Sequence, residues 1–109
     1  MEPYQVEAAP RFNRTIKRLP PNLKRALDEE VRRIAANPYK GEQKRGVLRD
    51  VFVEKFQAVN DQWLIAYRVV EQRRVVQLLA FGQHENFYRD LSRSLGMSER
   101  AKRPSPPQD

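Results

Sequence analysis

The chain has 109 residues, with 21 Lys and Arg against 14 Asp and Glu and a formal net charge of +7. That length suits one domain and is too short for a cofactor-binding domain beside a substrate domain. With no cysteine and one histidine, His84, the chain has no disulfide framework, no thiol nucleophile and too few ligands for a cysteine or histidine metal site, so neither metal nor cofactor is expected. No run approaches the roughly 20 apolar residues that span a bilayer, and "MEPYQVEAAP" lacks the basic and apolar parts of a secretory signal. A cytoplasmic location without a membrane partner is expected. The cationic surplus gives a salt-dependent attraction to polyanions and makes nucleic acid the expected class of partner.

Residues 3 to 8, "PYQVEA", alternate loosely and predict a short strand. Phe12, Ile16 and Leu19 then recur at helical spacing until Pro20-Pro21 closes a first helix. Leu23, Leu27, Val31 and Ile34 form the apolar stripe of a second, which Pro38 stops. Across the two helices Arg11, Arg14, Lys17, Arg18, Lys24, Arg25, Arg32 and Arg33 stand against Asp28, Glu29 and Glu30, so a basic outer face is expected.

"YKGEQKR", residues 39 to 45, has no apolar period and reads as a loop. Three segments rich in β-branched and aromatic residues follow: "GVLRDVFVEKFQ" (46 to 57), "QWLIAYRVVE" (62 to 71) and "RVVQLLAFG" (74 to 82). The short separators "AVND" and "EQRR" predict an antiparallel meander. Phe87, Leu91 and Leu95 repeat every four residues, with a possible Glu85–Arg89 ion pair, and predict a short helix from about 84 to 95. "SERAKRPSPPQD" has three prolines and no large apolar residue, which predicts a disordered tail from 96 to 109 behind a domain of residues 1 to 95.

Residues two apart on a strand share a face. Arg49, Val51, Val53 and Lys55 therefore fall together, as do Leu64, Ala66, Arg68 and Val70, while Trp63 and Tyr67 take the opposite parity and belong in the core. Arg68 interrupts an apolar run, where an unpaired charge is costly. It either pairs across the sheet with Glu54 or Glu71, or joins Lys55 and Arg49 in a cationic patch on the open face. His84 and Tyr88 leave the end of the last strand and can border that patch. Such a group suits metal-free cleavage of RNA, which must take a proton from a 2′-hydroxyl, return one to the departing 5′-oxygen and stabilise charge on the phosphorus-bound oxygens. Arginine matches phosphate geometry, histidine with an unperturbed pKa of about 6.5 suits proton transfer, and tyrosine can donate a proton or stack on a base.

The order strand, two helices, "QKRGVLRD", "WLIAYRV" and "VVQLLAFGQHENFY" resembles the RelE/ParE superfamily of type II toxin-antitoxin toxins over roughly residues 3 to 92. "GQHENFY" is similar to the C-terminal active-site segment of its RNA-cleaving, YafQ-like branch. The resemblance implies an α+β fold with a short N-terminal strand, a two-helix hairpin on an antiparallel sheet and a short C-terminal helix. It also implies a ribosome-dependent mRNA endonuclease that inhibits translation by 2′-hydroxyl attack, with His84 as acid or base, Tyr88 orienting the substrate, and Lys55 near the basic residues of the second strand; Arg68, on the residues alone, is the candidate to take the phosphate. Lys44, Arg45, Arg49 and Arg89 are further expected RNA contacts. The implied partners are a cognate antitoxin, the ribosome with its mRNA, and operator DNA through the antitoxin. The chain departs from the RNA-cleaving pattern at Leu64, where many members carry arginine, and at Gln62, where YafQ-like members carry aspartate. Two other readings stay open: a ParE-like inhibitor of DNA gyrase, and a degenerate toxin acting as corepressor with its antitoxin.

Overall fold

The computed structural model describes residues 2–44, 50–83, 87 and 91. Strand β1 (Gln5–Ala8) leads into helix α1 (Pro10–Ile16) and helix α2 (Pro21–Ala36). A 3-10 turn over Pro38–Lys40 and a two-residue strand β2 (Glu42–Gln43) connect to β3 (Phe52–Ala58), β4 (Asp61–Val70) and β5 (Val75–Gly82). The five strands lie in the order β1-β5-β4-β3-β2. The fold is the α+β arrangement expected, with two differences. Strand β1 runs parallel to β5, making the sheet mixed, and β2 pairs with β3 inside the stretch read as loop. Two residues without an apolar alternation carry no strand signal, and β2 forms because β3 offers it an edge.

Local chemistry sets the element ends. Both helices begin with proline at the first turn, where the missing N–H costs nothing. Helix α1 stops at Ile16, before Leu19, and a tight turn bonded from Arg18 N to Thr15 O and Leu19 N to Ile16 O carries the chain into Pro20. Between β3 and β4 the link is Val59-Asn60, both at positive φ (51° and 65°), as the two-residue hairpin turn matching strand twist requires.

The hairpin covers one face of the sheet. Leu23, Leu27 and Ile34 of α2 and Phe12 of α1 are buried against Phe52, Ile65, Tyr67, Val76, Leu78 and Phe81. Phe12 meets Phe81 edge to face at 6.4 Å, and Trp63, on the core side as its parity predicts, stacks on Phe81 at 5.1 Å. The opposite face has a second core of Val51, Val53, Leu64, Ala66, Leu79 and Ala80 under Phe87 and Leu91, both fully buried. A bulge makes this possible: Ala66 pairs with Ala80 and Tyr67 with Leu78, so Leu79 is the extra residue and joins Ala80 on one side. This face, expected to be open, is covered along its middle. Phe87 N bonds Gln83 O at 3.0 Å, the start of a helical turn, as the 87/91 spacing predicts. The rest of the expected helix over 84 to 95, and the tail from 96 to 109, lie outside the described residues.

Candidate functional site

The strand register separates the residues expected to form one patch. Lys55 pairs with Leu64, and Leu64 pairs with Gly82, so Lys55 stands at the sheet end where β5 delivers Gly82 and Gln83. On the same face, Gln57 pairs with Gln62, and Lys55, Gln57 and Gln62 are all exposed. A Cβ placed on Gly82 would meet nothing within 4 Å, so among the described residues the backbone there is open to an approaching ligand. The result is a polar shelf with one cation at its inner edge. His84 follows Gly82 by two residues in the chain; His84, Tyr88 and Arg89 lie outside the described residues, as do Arg45 and Arg49.

Arg68 is at the other end. It pairs with Gln77, four residues along β4 from Leu64, roughly 13 Å at about 3.3 Å per residue. The covered positions Leu64 and Ala66 intervene. Arg68 instead lines a cleft of about 820 Å³ with Tyr39, Gly41, Gln43, Asp50, Phe52, Val69, Val70 and Gln72. Neither acid expected to pair with it does so. Glu54 is 2.5 Å from Lys40 Nζ, and Glu71 accepts from the hydroxyls of Tyr39 (2.6 Å) and Tyr4 (2.7 Å). Among the described residues Arg68 and Lys55 have no ion-pair partner, which leaves both free for a polyanion. Lys44, expected to contact RNA, lies 3.7 Å from the carboxylate of Glu42, and its N–H bonds Val51 O.

Two polar clusters frame these sites. Beside the cleft, Tyr4 and Tyr39 share one oxygen of Glu71, and the Arg74 guanidinium lies 4.1 Å from the Tyr4 ring centre. The bond to Glu71 pushes the Tyr39 hydroxyl up to about 12, so it serves as a donor at neutral pH. The same two bonds hold the Glu71 carboxyl below its ordinary value.

Beneath α2, Lys40 Nζ joins Glu30 (2.8 Å) to Glu54, and Glu30 also takes Arg33 at 2.6 Å. Burial pushes the Glu30 carboxyl up, but its bonds with Lys40 and Glu54 outweigh that and the net shift is down. For Glu54 burial dominates, the Glu30 charge adds to it, and the net shift is up despite Lys40. Nearby, the buried Tyr67 hydroxyl donates to Pro38 O at 2.7 Å and accepts from Gly41 N at 3.2 Å, pinning the segment between α2 and β2 to the middle of β4. The sequence held one signal for the Lys40 cluster. Glu30 falls between Leu27 and Ile34 at spacings of three and four, a carboxylate on the apolar stripe. Among the described residues no group of three or more Asp, Glu, His or Cys is placed to hold a metal ion, and no helix is long and apolar enough to cross a membrane.

A helical hairpin on a five-stranded sheet, with a basic outer face and a polar shelf where β3, β4 and β5 meet, defines a small toxin of RelE/ParE type. The model of the family described as ParE-like toxin of type II bacterial toxin-antitoxin system matches residues 6–92, and the chain belongs to that family. No sequence among the curated proteins matches it. Among solved structures it is similar to the toxin-antitoxin complex RelBE2 from Mycobacterium tuberculosis (23% identity, 77% of this chain and 94% of that chain, TM-score 0.65). It is also similar to the isolated E. coli RelE toxin (20%, 92% and 97%, 0.63) and to a doubly substituted E. coli RelE in the free state (15%, 92% and 98%, 0.67). At these identities the likeness concerns the fold.

Proposed function

We propose that this toxin is a ribosome-dependent mRNA endonuclease that cuts by attack of a 2′-hydroxyl and is held inactive by a cognate antitoxin. The observation that carries the proposal is the row Lys55–Leu64–Gly82, which sets a cation, unpaired among the described residues, beside the strand end from which the chain runs on to His84 and Tyr88. In this reading Lys55 stabilises the phosphate, His84 moves a proton, and Tyr88 fixes the attacked nucleotide. Arg68, four residues farther along β4, contacts the RNA strand upstream or downstream of the cut rather than the scissile phosphate. Family membership and the likeness to E. coli RelE support it.

Two features favour a second reading. The family is described as ParE-like, and Leu64, buried beside the shelf, is apolar where many RNA-cleaving members carry arginine; a gyrase inhibitor requires no cation there. The test is a ribosome programmed with an mRNA whose A-site codon carries single 2′-deoxy substitutions, run beside a DNA gyrase supercoiling assay. Cleavage that disappears with one deoxy position, with gyrase unaffected, is expected. Intact RNA with blocked supercoiling would establish the second reading.

A further inference from the structure

We infer that the cleft at Arg68 holds one unstacked nucleotide of single-stranded RNA, its base against the Tyr39 ring and its phosphate on the Arg68 guanidinium. The strand ends make this cleft. Pairing of β3 with β4 begins at Phe52 opposite Tyr67, while β4 runs on to Val70, so the last residues of β4 extend past the start of their neighbour. The space at that step is about 820 Å³, within the range of roughly 300–1,000 Å³ in which small ligands are held. Tyr39 lines it and is fixed at two points: its hydroxyl donates to Glu71 at 2.6 Å, and its ring meets Phe52 edge to face at 5.6 Å. Phe52 is in turn stacked on the buried Tyr67 at 5.7 Å. Tyr39 is nevertheless 53% exposed, and among the described residues no other aromatic side chain is exposed. Beside it stands Arg68, half-buried and without an ion-pair partner among the described residues. A ring already ordered before binding, next to a guanidinium with no carboxylate on it, is the pairing that holds a single strand: one surface for a base and one charge for the backbone.

The lining disfavours other occupants. Arg68 is the one cation among the described lining residues, Asp50 lines the same cleft, and Glu71 holds the Tyr39 hydroxyl, so an acidic peptide meets two carboxylates for one positive charge. A duplex keeps its bases within its own stack and offers the ring none of them. One nucleotide brings one negative charge and one stacking face, and Gln43, Gln72 and Asp50 supply donors and acceptors for its ribose and base edge. Arg68 lies about 13 Å along β4 from the Lys55 row, so the nucleotide held here is not the one that is cut. The inference rests on the RNA-directed reading of the protein but not on cleavage, because it concerns binding of a free single strand.

The experiment measures binding of the full chain, without ribosomes, to a short single-stranded RNA and to an RNA duplex against KCl concentration, for wild type and for variants at Tyr39 and Arg68. Tyr39→Ala and Tyr39→Leu should bind the single strand about tenfold more weakly at an unchanged slope of log K against log salt, while Tyr39→Phe, which keeps the ring, should stay within about twofold of wild type. Neither Tyr39 loss should extend to the duplex. Arg68→Ala should lower the single-strand slope by about 0.7, and Arg68→Lys should restore it. Should alanine at position 39 disturb the fold, leucine still packs an apolar side chain against Phe52 and reports the ring alone. No binding of the single strand by wild type, full binding by Tyr39→Leu and Arg68→Ala, or equal Tyr39 losses for strand and duplex would overturn the assignment. So would adenosine 5′-monophosphate competing as well as the RNA, which would make a free nucleotide the ligand, or a loss seen only with a polyglutamate peptide. Unaltered single-strand binding in the variants would leave cleavage at the Lys55 shelf standing, and intact message in the ribosomal assay would leave the cleft standing, so the two failures are distinct.

Discussion

Tyr67→Phe tests the pin that ties the segment between α2 and β2 to the sheet. The substitution removes only a hydroxyl that donates to Pro38 O at 2.7 Å and accepts from Gly41 N at 3.2 Å, while the ring keeps its stack on Phe52 at 5.7 Å. Pro38 is buried and Gly41 half-buried. An unsatisfied buried group costs about 1–3 kcal/mol, and water can reach the second, so the expected loss is about 2 kcal/mol. In urea, with a slope of about 1–3 kcal/mol per M, the midpoint should fall by about 1 M at unchanged slope. The position of the pin can be checked independently. A Cβ on Gly41 would lie 2.6 Å from the Tyr67 oxygen and 3.1 Å from Val53 O, so Gly41→Ala destabilises. In the Tyr67→Phe background its main clash is gone, and the two losses should be less than additive by at least about 0.5 kcal/mol. Burial first, with Glu54 and Glu30 adding, pushes the Tyr67 hydroxyl from 10.0 up to about 12, so its protonated form stabilises the fold fully below pH 10 and loses that advantage between pH 10 and about 12. A loss under about 0.5 kcal/mol, or strict additivity with Gly41→Ala, would refute the reasoning.

Three further outcomes are expected. Glu30→Gln should cost about 2 kcal/mol at pH 7 in urea titrations, less than the ~3–5 kcal/mol of a buried pair broken outright, since Lys40 keeps Glu54. The lowered Glu30 carboxyl stabilises above its unfolded value and loses that contribution as pH falls through the folded one, so the cost should shrink in acid. The raised Glu54 carboxyl has the opposite sign, so Glu54→Gln should cost less at pH 7 than Glu30→Gln. Replacing the exposed Val59, β-branched at φ 51°, by Asn should stabilise by about 1 kcal/mol, seen as a rise of about 4–8 °C in a thermal melt. Lys55→Ala, exposed and unpaired among the described residues, should leave the melting midpoint unchanged while lowering RNA cleavage at least tenfold.

The helical hairpin and the meander were legible because their signals are local: the Leu23–Ile34 stripe, the paired prolines, and the β-branched runs. Strand β2 was hidden because two polar residues have no period to read. The covered face was misjudged for a related reason. Leu79 and Ala80 share a side only through the bulge at Ala66/Tyr67, and a strict two-residue alternation assigns them to opposite sides. Parity correctly placed Arg68 on the face of Lys55, but parity fixes a face and not a distance, and the register sets the two roughly 13 Å apart. The bonds from Lys40 to Glu54 and from Tyr39 to Glu71 were also beyond reach, since both donors come from the segment read as loop.

The measurement bearing most directly on the account maps mRNA 5′ ends by primer extension after the protein is added to a translating system, with a ribosome-free control and Lys55→Ala and His84→Ala alongside. New ends at codon positions that require ribosomes and fade in both variants are expected. Full-length message in the presence of active wild-type toxin, or cleavage undiminished in both variants, would contradict it.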